Sequence, residues 1–258
     1  MLAALVATLL VFQEPKANPP AGESKPAEAA APAPAAVQPP KAPKALDDRA
    51  AKTAVADFQK AWKAASSMAA KNQALDSIAE SAHKLLVKPL GQIVDSDKSV
   101  VIRKRAVELL AQQPASEAKP EILRLLTSKG TQPFGPVLAA LVTGLARTGY
   151  QSKDWAVTGK LFGQDYAADR VTLQEAILDL ATQSKEKLAV DVLLENLDEP
   201  GATDVHGADN PPAEYWEARW KAWKAWRGKV KDALFAITGQ RFNTAAEAKA
   251  WLAKNPLK

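Results

Sequence analysis

The sequence predicts an all-α protein, a short right-handed α-solenoid of about five antiparallel helix pairs, and three observations carry that expectation. The 258 residues are 47% apolar, weighted to Ala and Leu, and Val, Ile, Tyr and Phe never alternate with polar residues over a strand's length. From Asp47 onward the apolar residues recur at helical spacing. Several windows of the chain also repeat one another at a near-constant interval, the mark of stacked supersecondary units.

At the N-terminus, Leu2 to Phe12 (LAALVATLLVF) form an 11-residue run that is apolar but for Thr8. This matches the core of a signal peptide and falls short of the ~20 residues that span a bilayer. Residues 1–13 read as a secretion signal, so the mature chain is expected in the periplasm, outside the cell or in the cell envelope, with no transmembrane segment. Only Met1 precedes the run and no small-x-small cleavage site follows it, so the true start is expected a few residues upstream. The other reading, a frayed apolar tail on a cytoplasmic protein, exposes this apolar run for no gain.

Residues 14–46 form a second kind of segment. From Pro15 to Lys44 there are nine Pro and ten Ala in 30 residues, with Val37 the one branched apolar residue. Such a stretch buries too little surface to offset its ordering entropy, and its prolines favour extended polyproline conformations. A disordered linker is expected, either a spacer or a tolerated low-complexity tail, with the folded domain at 47–258.

Within that domain four windows align without gaps: Ala74–Glu80, Ala106–Gln112, Leu141–Arg147 and Ala176–Thr182. Each holds an aliphatic-Ala pair, at Ile78-Ala79, Leu110-Ala111, Leu145-Ala146 and Leu180-Ala181, spaced by 32, 35 and 35 residues. The small residue suits a close helix approach and the aliphatic one fills the layer between pairs. A fifth window, Ala233–Thr238, lies one period plus an insertion further on, and the insertion is the Gly/Asp/Asn/Pro-rich stretch 199–212. Partner helices fit at Ala82–Val94, Ala118–Thr127 and Leu188–Leu197, with turns at Asp95-Ser96-Asp97, Gln113-Pro114, Ser128-Lys129-Gly130 and Gly149.

The stretch from Asp97 through Val100, Arg103 and Ala106 to Leu110 resembles the second helix of a HEAT repeat, as does Arg170 to Leu180, and Pro89 fits the first helix. Ala233 to Leu252 is similar to the closing segment of secreted HEAT-repeat proteins of planctomycete-type bacteria. The resemblance covers about residues 66–258. It implies a HEAT-like solenoid that binds proteins on a concave surface lined by second helices, and it implies little about a particular activity.

The C-terminal region 213–258 is expected to cap the array. Tyr215, Trp216, Trp220, Trp223 and Trp226 crowd twelve positions, and the four Trp share one helical arc of roughly 120° with Arg219 beside them. Two readings compete: a platform for cell-envelope polysaccharide, or rings that close the open end of the array by packing on the preceding pair and on Trp251. From Glu214 onward ten Lys or Arg face four Asp or Glu. That excess suits an anionic envelope polymer or headgroups, or is simply a solvated face.

Chemistry finds little support. There is no Cys, and His83 and His206 stand far apart. His83 is expected at a helix start or on the surface rather than as a ligand. Asp204, His206, Asp209 and Asn210 crowd one loop but match no EF-hand spacing. Gly159-Lys160 lacks Walker spacing, and no nucleophile elbow or His-Glu-x-x-His occurs. The net charge of +5 is a mild excess for a chain of this size and does not form the dense basic stripe of a nucleic-acid binder. The expectation is an exported interaction scaffold without catalysis, cofactor or metal, engaging an unknown protein partner. The alternative is polysaccharide binding through the Trp-rich region. Arg103, Arg105, Arg147, Arg170, Arg219 and Trp226 are the residues expected to meet a partner.

Overall fold

The computed structural model describes residues 43–201 and 210–257. The proposed signal, the linker up to residue 42 and residues 202–209 of the insertion lie outside the described residues. Within them the chain is all-α, apart from one two-residue parallel ladder between β1 (Lys44–Ala45) and β2 (Ser81–Ala82). The helices are α1 (Asp48–Ala64), α2 (Met68–Asp76), α3 (Lys84–Ser96), α4 (Val100–Leu110), α5 (Ala115–Leu126) and α6 (Gly135–Arg147). They continue as α7 (Trp155–Phe162), α8 (Val171–Ser184), α9 (Val190–Glu195), the long α10 (Ala213–Thr238) and α11 (Ala245–Lys254).

The ladder moves the edge of the folded part forward. Lys44 N–H donates to Glu80 O at 2.7 Å and Leu46 N–H to Ala82 O at 3.1 Å, so residues 44–46 belong to the fold rather than to the linker. Helix starts follow local chemistry: Asp47, Ser67, Ser99 and Thr244 each accept the backbone N–H three residues on. Each such cap contributes about 1 kcal/mol. His83 does the same for α3 through Nδ1, which accepts from Leu85 N–H at 3.2 Å. It starts a helix as expected, but it is buried rather than exposed.

Alternate chain neighbours pack together, and most helices also pack on the helix two further along. Thus α1 packs on α3, α3 on α5 and α5 on α7, while α2 packs on α4, α4 on α6, α6 on α8 and α8 on α10. Between these rows α1 meets α2, α3 meets α4, α5 meets α6, α7 meets α8 and α9 meets α10. The aliphatic residues of the four aligned windows, Ile78, Leu110, Leu145 and Leu180, are all buried in one continuous core. The small positions do what their size suggests: a Cβ placed on Gly144 of α6 would stand 3.4 Å from the Cβ of Ala111 at the end of α4.

Polar side chains tie successive units. Gln113 links to Ser81 and His83, Lys119 to Gly149, Ser128 to Asp95, Arg170 to Gln132, and Tyr150 and Ser152 to Glu186. These pairs are 30 to 38 residues apart, about one period of the aligned windows. The fifth window is not a helix of its own. It forms the last turns of α10, whose first twenty residues carry the Trp cluster.

Candidate functional site

Two of the six residues expected at a partner surface are not available to one. Arg103 is only 2% exposed. Its Nε donates to Val94 O at 2.5 Å and its Nη2 to Asp95 O at 3.3 Å and Gly130 O at 2.6 Å, while the guanidinium lies 4.4 Å from the Phe134 ring centroid. It therefore stitches the end of α3 and the turn before α6 onto α4. Burial pulls its pKa below the ordinary arginine value, against the opposing pull of Asp95 and Asp97.

Trp226 is fully buried. Its indole N–H donates to Gln174 Oε1 at 2.9 Å, and its ring meets Phe162 edge-on at 5.1 Å. Arg170 is largely withdrawn as well, donating to Gln132 O at 2.6 Å beside Asp165. Arg219 lies over the rings of Tyr166 and Trp216, at 5.5 and 5.6 Å. Arg105 pairs with Glu108 and Asp76 and stays partly exposed, and Arg147 is exposed in the last turn of α6. Neither lines the groove described next.

That groove, of about 410 Å³, runs between α6 and α8. Ala139, Ala140 and Ala146 of α6 and Ala176 of α8 form its floor, with exposed Thr143 and Thr172 beside them. Lys104 from α4, Glu175, Asp179 and Gln183 from α8, and Lys229 from α10 stand around it. Lys229 Nζ and Asp179 pair at 2.7 Å across the α8–α10 junction. A floor of methyl groups lets a foreign backbone approach the helices closely, and the mixed rim offers hydrogen bonds of both kinds. The sequence holds a trace of this surface in the spacing of Ala139, Thr143 and Ala146, which share one helical face. Small residues at that spacing read equally well as helix packing.

A larger cleft of about 820 Å³ opens at the other end of the molecule, where Phe58 and Trp62 of α1 face Pro89 and Ile93 of α3. Lys71 Nζ sits 5.3 Å from the Trp62 ring centroid and 2.5 Å from Asp97 Oδ2. Phe58 and Trp62 read as ordinary core spacing, and nothing in their pattern marks the half-buried Trp62 as the edge of an open cleft.

The four-Trp platform is not formed. Trp223 and Trp226 are buried, Trp216 is half-buried with its N–H on Asn210 Oδ1, and only Trp220 is exposed, at 38%. Trp226 packs on α7 and α8, the preceding pair, as the capping reading expects, but Trp251 packs on Phe242 instead of on this cluster. Arc geometry placed the rings on one side of α10 correctly; it could not tell that α8 covers half of that side.

Of the insertion residues considered for a cation, Asp204, His206 and Asp209 lie outside the described residues. Among the described residues no three His, Asp or Glu side chains group as a set of metal ligands, and no helix is long and apolar enough to cross a membrane. No protein-family model, no curated protein and no solved structure matches the chain.

Proposed function

We propose that this chain is an exported HEAT-like solenoid of about five helix pairs, related to secreted HEAT-repeat proteins of planctomycete-type bacteria. In this reading it acts as a protein-interaction scaffold without catalysis of its own. The solenoid reading is supported by two rows of helices in which most pack on the helix two further along, and by polar ties one repeat length apart. Export rests on the apolar run Leu2–Phe12, which precedes a Pro/Ala-rich stretch.

The observation that carries the function is the α6–α8 groove, whose alanine floor and mixed-charge rim lie on the row of even-numbered helices. A partner of protein chemistry suits it: methyl groups to bury, and both signs of charge to pair. A bulky substitution at exposed Thr143 blocks the floor without entering the core. The wild-type chain should capture a defined partner from envelope extracts, and Thr143→Trp should lose it while melting at the same temperature. Retention of the same partner by that variant moves the binding surface elsewhere.

A further inference from the structure

The outer face of α10 carries a feature that the scaffold reading leaves unused. Trp220, Lys224, Arg227, Lys231 and Phe235 are all exposed. At 3.6 residues per turn they fall within an arc of roughly 80°, with Trp220 and Phe235 about 22 Å apart along the axis. The opposite face of the helix, with Ala222, Trp226, Val230 and Ala233, is buried in the core. The basic groups of the stripe are not spent on internal ion pairs: among the described residues Lys224, Arg227 and Lys231 have no acidic partner, whereas Lys221 and Lys229 do. From Ala213 to Leu257 nine Lys or Arg stand against four Asp or Glu, so the positive charge is a regional property and not an accident of three side chains.

We propose that this face of α10 docks on an anionic phospholipid bilayer surface. The charge selects an anionic ligand, and the ring geometry selects a flat one. Lys224 Nζ lies 5.0 Å from the Trp220 ring centroid and Arg241 Cζ 4.6 Å from that of Phe235. Each exposed ring thus already shares a face with a cation, and the Trp220 indole N–H is donated to Glu199 Oε1 at 2.5 Å, so neither ring is left free to stack on a sugar. An exposed aromatic with a basic neighbour, repeated along one face of the helix, matches the headgroup region, where rings settle at the boundary and Lys or Arg reach the phosphates. This surface is distinct from the α6–α8 groove, so docking on lipid leaves the groove's partner site open.

The test is co-sedimentation of the full chain with vesicles of phosphatidylcholine alone and of phosphatidylcholine with phosphatidylserine. The N-terminal apolar run is common to every variant, and the neutral vesicles measure what it contributes. Partition should favour the anionic vesicles and weaken as salt rises. Each lost charge should lower it about fivefold, so Lys224→Gln/Arg227→Gln/Lys231→Gln together should lower it about a hundredfold. These side chains are exposed and, among the described residues, have no acidic partner, so the melting temperature should move little; if it does move, the single Lys231→Gln variant, whose side chain lies over no ring, still reads the fivefold loss. Equal partition onto neutral vesicles, or unchanged partition of the charge variants, overturns the proposal. Binding of soluble alginate without binding of anionic vesicles also overturns it, and assigns the stripe to acidic polysaccharide.

Discussion

Buried charges in this protein serve as fasteners. Glu186 sits at the turn between α8 and α9, 1% exposed, and accepts from Tyr150 Oη and Ser152 Oγ, both at 2.7 Å, and from Leu188 N–H at 3.0 Å. Burial pushes its carboxyl upward, but the three donors together outweigh that and hold it below the ordinary glutamate value of 4.5. Burial and the same carboxylate push the Tyr150 phenol far upward, so it remains a donor at every pH of interest. A glutamate whose folded pKa is depressed contributes stability above its unfolded pKa and loses it as pH falls through the folded one. Glu186→Gln should therefore cost about 2 kcal/mol near neutral pH, the scale of hydrogen bonds to a charged group. Urea denaturation at neutral pH and again below pH ~4 should show that gap shrink. A gap that stays constant across this range would mean that the carboxylate's charge plays no part.

The helices owe their positions to small residues and tight turns. Gly135 opens α6 against the turn at Asp169: a Cβ there would lie 2.1 Å from the Asp169 backbone oxygen, and backbone cannot swing away as a flexible side chain can. Gly135→Ala should separate α6 from the start of α8 and cost about 1–3 kcal/mol, a loss of roughly 3–10 °C in melting temperature for a domain of this size. An unchanged melting curve would show that this junction is looser than the distance implies.

Much of this layer was legible beforehand. The aliphatic members of the pairs, Leu110, Leu145 and Leu180, fall on the buried faces of α4, α6 and α8, because burial at a fixed period leaves a trace in composition. The short α7 left none. Its Gly159 and Thr158 weaken helical periodicity, and it stands as a helix because α5 and α8 pack on it. The β1–β2 ladder was equally invisible, since two residues carry no pattern. For the candidate site the trace was weaker still. Arg103 and an exposed arginine look alike in sequence, and only the carbonyls of Val94, Asp95 and Gly130 reveal that this one is structural.

At the scale of the molecule, both ends differ from the middle. The N-terminal end leaves the Phe58–Trp62 cleft open, while the C-terminal end folds α10 and α11 over the last pair, with Trp226 as the buried anchor and the basic stripe outward. The middle presents the α6–α8 groove, the surface on which the proposed scaffold function rests. The most direct measurement places a photo-crosslinking residue at Thr143 or Thr172 in the groove, and for comparison at Leu188, which is 58% exposed beside α7 in the other row. After irradiation in the native envelope, the groove positions should give a discrete protein adduct and Leu188 none. Adducts from Leu188 with none from Thr143 and Thr172 would contradict the account.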